Sequence, residues 1–584
     1  MKTINRSPRK CITFIFMIIS LMTSSTLKSQ NWSTFNGGNQ KNGCTGLSGP
    51  ENISSSYWTV TSPTNTVWGN AVYTFGDKFV SSRGSVSPYT FLVEMRKLTD
   101  GSLIWSKSIS EVARLYAVGF TEDAVYAADY QDTISILYAL SVDSGNIKWS
   151  IPTKMFPGNT GICFAPDGDP IIFGKRLDRR TGIPVWTYDY MIPIVPDGGF
   201  VVHGDTYYHW TGSAITPKRL IAVDIVTGLL KYESDDLPGD GDQENDLIVA
   251  PNGTIYIARD GGALHAFSDN GIGFQELWSA SPAVFPKSFG PGNTIYCAKT
   301  NDGSFSGTLM RISAQNGAVI DSVPGTLAAY VSVDADSTVY VNNGEGPNGR
   351  LTAFTHDLQS TKWTMGLPFS TYLGAPIGKE GVLVAVGEGS EIKAYKPTIS
   401  RKPLADFRSS GRDIQQQQPI SFFDQSSYLP TSWYWSFPGG NPSTSNQQNP
   451  SGITYAQTGM YPVKLVASNA FGSDSVVKTS YVVVSPLNGT NDKSSMNSFM
   501  INQNHPNPFT TSTTITCQTK DISVPTNLTV YDAYGKEVAI LINEILPPGF
   551  HQVPFHADAL PPGMYFYTLR TGHQSSTKKM TIIR

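Results

Sequence analysis

The chain is 584 residues long, with a formal net charge of -3 and a pI near 6.3, which gives no electrostatic basis for binding nucleic acid or an anionic membrane. That length corresponds to about three to four domains, and 54 Gly, 38 Pro, 28 Phe, 27 Tyr and 11 Trp favour many short strands with tight turns. Beyond the N-terminal region the cysteines are Cys44, Cys163, Cys297 and Cys517, with no C-x-x-C spacing; neither a zinc site nor a disulfide-stapled fold is indicated, and buried free thiols are expected.

Arg6, Arg9 and Lys10 precede an apolar run from Cys11 to Met22, and small polar residues continue to Gln30. That order of charged, apolar and cleavage regions is a secretory signal peptide, assigned to residues 1–30. The run is shorter than the about 20 residues that span a bilayer, and no later stretch reaches that length, so no transmembrane segment is expected. Arg9 and Lys10 stand where a lipoprotein signal needs small residues before Cys11.

A repeat fills residues 31–398. Each copy is an apolar strand, a polar turn, with Gly in all but the last, and a closing strand: 97–105, 138–149, 175–186, 264–278 and 351–363 end in Trp, 220–232 in Tyr and 309–320 in Ile. The closing positions recur every 37 to 46 residues, a period that predicts a β-propeller with four strands per blade. The eighth copy is split: 391–397 supplies a third strand and stops, whereas 57–60 is an orphan outer strand. Pairing them closes the ring and removes two exposed edges, so eight blades are expected, with seven as the fallback. Trp58, Trp105, Trp149, Trp186, Trp278 and Trp363 are expected to dock between blades.

The A-x-D-x-x-T-G-x-x-x-W pattern, seen in Ala222, Asp224, Thr227 and Gly228 and again in Asp143, Gly145 and Trp149, resembles the pyrroloquinoline-quinone-like propeller superfamily. The opening at 31–46 resembles the leader before the first blade of many secreted members. Quinoprotein dehydrogenases of that superfamily hold quinone and calcium beside a vicinal cysteine pair; this chain has no adjacent cysteines and no C-x-x-C-H, so no cofactor is expected.

Catalytic motifs of the H-E-x-x-H, G-x-S-x-G and P-loop kinds are missing from the sequence. Asp240, Asp242 and Asp246 offer the hard oxygen ligands that calcium takes, yet the spacing leaves the calcium-loop pattern after the second Asp, and a solvated loop is the simpler reading. Tyr208 and Trp210, within an aromatic run from Tyr207, are candidates for stacking on a sugar, against the alternative of core packing.

After a proline-punctuated linker, residues 404–485 alternate apolar and polar positions in about seven short strands, the pattern of an immunoglobulin-like sandwich. FFDQSS (422–427), W-x-W-x-F (433–437), the strand Gly459 to Leu465 and SNAFGSDS (468–475) resemble the PKD domain. The usual W-x-F-G-D-G appears as WSFPGG, without its Asp. Of Trp433 and Trp435, at least one should be the core tryptophan, leaving Trp433 a candidate for ligand stacking at the rim. Residues 486–498 read as a flexible linker.

Residues 499–584 contain HPNPF (505–509), VYDAYG (530–535), GMYFYTL (563–569) and a basic end, with alternating apolar residues in three or four short strands. This second small sandwich resembles the type A C-terminal sorting domain of the type IX secretion system. The resemblance implies that the secretion machinery is a partner, that the domain is removed, and that the chain is released or held on the outer surface.

The expected architecture is all-β: an eight-bladed propeller followed by two immunoglobulin-like β-sandwich modules. The expected function is a secreted or surface-displayed binding protein for an extracellular glycan or protein, with the PKD-like module as spacer or auxiliary binder. The alternative is a lyase or glycosidase acting on extracellular polysaccharide from the propeller funnel. A scaffold in envelope assembly, like the outer-membrane assembly lipoprotein, fits the export signal less well.

Overall fold

The computed structural model describes residues 38, 43–63, 66–86, 89–109, 114–129, 135–153, 162–172, 174–188, 200–211, 219–237, 247–258, 263–281, 284–300, 307–325, 330–342, 348–367, 376–387, 389–486, 500–501, 504, 507–519, 525–545, 549–557, 560–571 and 574–583. Eight four-stranded antiparallel sheets form the propeller. Blades 1 to 7 take their strands in sequence order from 67–107, 115–153, 163–187, 200–233, 247–280, 285–324 and 330–366. Blade 8 joins Ile377–Gly378, Val382–Ala385 and Glu391–Tyr395 to Trp58–Thr61, with Trp58 opposite Ala394 and Val60 opposite Ile392. The ring therefore closes through the N-terminal strand.

The core lies between sheets. In one cluster Val118, Tyr126 and Trp149 of blade 2 pack on Phe164, Ile172 and Leu177 of blade 3. Alternation explains this, since successive residues of a strand face opposite neighbours, and a blade covered on both faces is buried along its whole inner strands, as in Val125–Asp129 and Leu247–Val249.

The turn between third and fourth strands follows one design. In blade 4, Asp224 Oδ1 accepts from the backbone N–H (2.7 Å) and hydroxyl (2.8 Å) of Thr227, and Gly228 N–H returns to Asp224 O at 2.8 Å. Gly228 has φ +71°, and a Cβ there would stand 2.5 Å from the Trp186 ring of blade 3, so both backbone and packing demand glycine. Blade 2 corrects the sequence alignment. Gly145 N–H returns to Ser141 O, so Ser141 takes the place of Asp224, and Asp143 stands at the exposed turn tip.

The first sandwich has nine described strands rather than about seven, three of them only two residues long. Its main sheet runs Asp413–Gln415, Gly472–Ser485, Gly459–Asn469, Ser432–Ser436 and Thr444–Ser445. Trp435 is fully buried among Phe407, Phe422 and Phe437, while Trp433 packs partly buried at the cluster's edge. The second sandwich has seven strands in sheets of three and four, not three or four strands in all. The extra ones include Ser512–Thr519 and Gly549–His556, whose outward Ser512, Thr514 and His556 disguise an inward face of Ile515, Cys517 and Phe555.

Candidate functional site

Each expected docking tryptophan reaches across a blade boundary. Trp58 Nε1 donates to Leu98 O at 2.8 Å, Trp105 to Val142 O at 2.8 Å, Trp149 to Arg179 O at 2.9 Å, Trp186 to Ile225 O at 2.9 Å and Trp278 to Ala314 O at 2.9 Å. Trp363 instead reaches Pro50 O at 3.2 Å. All are buried except Trp278, which is half-buried. The two blades without a docking tryptophan use other chemistry. Tyr232 of blade 4 donates its hydroxyl to Asp269. In blade 6 the register position belongs to Asp321, opposite Arg311; Arg311 Nη2 pairs with Asp321 Oδ2 at 2.9 Å while Nη1 reaches His356 O of blade 7 at 3.2 Å.

Tyr208 and Trp210 lie in a core cluster with Leu247, Ile255 and Phe267 of blade 5, at 3 % and 6 % exposure, so their rings face protein and not solvent. Asp240, Asp242 and Asp246 fall outside the described residues. So do most connections on that side of the propeller, from fourth strand to next first strand.

What sequence reasoning missed lies on the opposite side. There the turns between first and second strands, together with those between third and fourth, meet the first sandwich directly. Arg412 of the sandwich places Nε 3.2 Å from Glu122 Oε1 and Nη2 3.2 Å from Asp123 Oδ2. Arg179 of blade 3 bonds the same Asp123 oxygen at 3.0 Å and also pairs with Asp413 of the sandwich. Tyr481 donates its hydroxyl to Glu122 Oε2 at 2.8 Å. Toward blades 7 and 8, Arg401 pairs with Asp336 at 2.8 Å, and Tyr428 N–H donates to Glu380 Oε2 at 2.8 Å. The expected spacer is thus seated on the propeller, and the segment leading to it is tied down.

Burial dominates the electrostatics of this contact. It pushes the Glu122 carboxyl up from the ordinary value, although Lys478 and Arg412 pull the other way. Burial disfavours the Arg412 charge, but Glu122 and Asp123 with Asp413 outweigh it and raise its pKa. Beside the bridge opens a cleft of about 340 Å³ lined by Phe75, Asp143 and Lys148 of the propeller and by Arg408, Ser410 and Arg412 of the sandwich. That volume is in the range of small-ligand sites. Among the described residues no group of three or more His, Cys, Asp and Glu has metal-holding geometry.

Family profiles match three parts of the chain: the PKD domain at residues 406–482, the secretion system C-terminal sorting domain at 504–583, and the outer membrane protein assembly factor BamB at 93–323. The chain carries BamB-like propeller repeats, a PKD domain and a type IX secretion sorting domain. It is secreted cargo: the sorting domain takes it across the outer membrane, to surface attachment or release, and implies contact with the secretion machinery. No curated protein matches the chain. Solved structures similar to it include Sqt1 of Saccharomyces cerevisiae, 12% identical over 58% of this chain and 98% of that one, with a TM-score of 0.40. The Dos1 propeller is 9% identical over 59% and 95%, at 0.41. PorZ, a surface component of the type-IX secretion system of Porphyromonas gingivalis, is 9% identical over 88% of this chain and 69% of its own, at 0.31. None of these likenesses is close enough to bear on function. Among the described residues no helix is long and apolar enough to cross a membrane.

Proposed function

We propose that this secreted chain is an extracellular binding protein in which propeller and PKD domain form one recognition unit. The observation that carries the reading is the cleft whose walls come from both domains, beside the partly buried Arg412, Glu122 and Asp123 bridge. A rigid scaffold presenting charged and aromatic groups from turns suits recognition and needs no catalytic group.

The competing reading is an enzyme acting on extracellular polysaccharide. Its strongest support is Glu122, whose raised pKa suits a general acid. However, Arg412 pairs with one Glu122 oxygen and Tyr481 donates to the other, so both oxygens are already engaged in the domain contact. Binding is therefore favoured over turnover. The test is to incubate the mature chain with a glycan array and with extracellular polymers while assaying for product. Retention without product is the expected result, and product formation would transfer the cleft to the enzyme reading.

A further inference from the structure

The charges lining the cleft are not all spent on the domain contact. Lys78 pairs with Asp77 at 3.1 Å, and Arg412 is engaged by Glu122 and Asp123. Three lining groups have no ion-pair partner among the described residues: Arg408, Lys148 and Asp143. The Arg408 guanidinium is stacked on the Phe423 ring, 4.2 Å from its centroid, so its orientation is set while its N–H groups stay open. Among the described residues Lys148 Nζ donates only to the backbone oxygen of Asp123, at 3.0 Å. Asp143 stands at an exposed turn tip because Ser141 fills the turn-capping place.

These groups select a ligand class. Two open cations against one carboxylate favour an anion, and a planar guanidinium fork pairs bidentately with an oxyanion such as a carboxylate. Asp143 accepts from hydroxyls, and the partly buried ring of Phe75 gives the cleft an apolar surface of the kind a sugar ring packs on. We propose that the cleft between propeller and PKD domain binds a carboxylate-bearing saccharide, a uronic acid unit of an extracellular polymer. Arg408 and Lys148 hold the carboxylate, Asp143 takes ring hydroxyls, and Phe75 packs against the sugar face. Since Arg408 belongs to one domain and Lys148, Asp143 and Phe75 to the other, the site exists only while the two are docked. This inference rests on the binding reading above and gives it a substrate class.

The experiment is calorimetric titration of the full mature chain with a galacturonic acid trimer, with a galactose trimer as the neutral comparison. The acidic trimer should bind and the neutral one should bind at least about tenfold more weakly, a difference of about 1.4 kcal/mol. Lys148→Gln, at an exposed position, and Arg408→Gln should each weaken the acidic trimer by about tenfold without changing melting. Binding that ignores both substitutions, or no binding of the acidic trimer, overturns the inference. If neutral glycans or proteins are then retained on the array, the binding reading survives alone; if nothing is retained, both fall.

Discussion

Trp363 Nε1 donates to Pro50 O across 313 positions of sequence. Elsewhere in the ring, a docking tryptophan finds its acceptor in the next blade's turn between third and fourth strands. Blade 8 has no such turn, because its fourth strand, Trp58–Thr61, arrives from the N-terminus. The leader supplies the missing carbonyl, with Leu47 fully buried beside it and Gly49 N–H bonded to Asp334 Oδ2 at 2.9 Å. A chain beginning at Glu51 should therefore melt below one beginning at Asn31, since burial of Leu47 alone contributes on the order of 2 kcal/mol. One beginning at Thr61 loses the closing strand and should aggregate. Equal melting of all three by calorimetry would contradict the closure.

Trp149→Ala should lower stability by about 3 to 5 kcal/mol, the range for truncating a buried aromatic. The ring packs between blades 2 and 3 and its N–H is satisfied by Arg179 O. Chemical denaturation followed by fluorescence measures this loss.

The polar substitute in blade 6 should be nearly as sensitive as a tryptophan's hydrogen bond. Asp321→Ala leaves Arg311, at 15 % side-chain exposure, without its carboxylate, and removes one of the two acceptors of Gln359 Nε2. A cost on the order of 2 kcal/mol is expected, as for hydrogen bonds to charged groups, and thermal melts of the variant would show it.

Domain docking should weaken as pH rises. Burial raises the Glu122 pKa in the folded chain above its unfolded value. The folded form therefore holds the extra proton between those two values. The stability this contributes is complete below the ordinary carboxylate value and is lost as pH rises through the raised one. Glu122→Gln should remove that part of the pH dependence. Limited proteolysis at 396–403, followed against pH in both proteins, reads it out. An unchanged slope would mean that other groups govern the contact.

The sorting domain should be absent from the exported protein. Intact mass of the secreted form should end before about residue 500, in the stretch that precedes the family match at 504–583; retention of Arg584 would count against removal.

The repeat period, the turn glycines and the sorting motifs are local, so the sequence alone determined an all-β propeller with PKD and sorting modules. Even ring closure was legible, because Trp58 lies one period before Trp105 and 391–397 lacked an outer strand. Local pattern also misled: Asp143 matched the Asp of the A-x-D-x-x-T-G pattern, and only the bond from Gly145 to Ser141 O set it at the open tip. The seating of the PKD domain was invisible for a different reason. Arg412, Glu122, Asp123 and Arg179 lie on three structural units far apart in the chain, and nothing periodic links them. Charged residues in turns read as solvated surface until a second domain covers them, so the tertiary structure alone decided that these form a bridge partly buried between domains and that a cleft opens beside it.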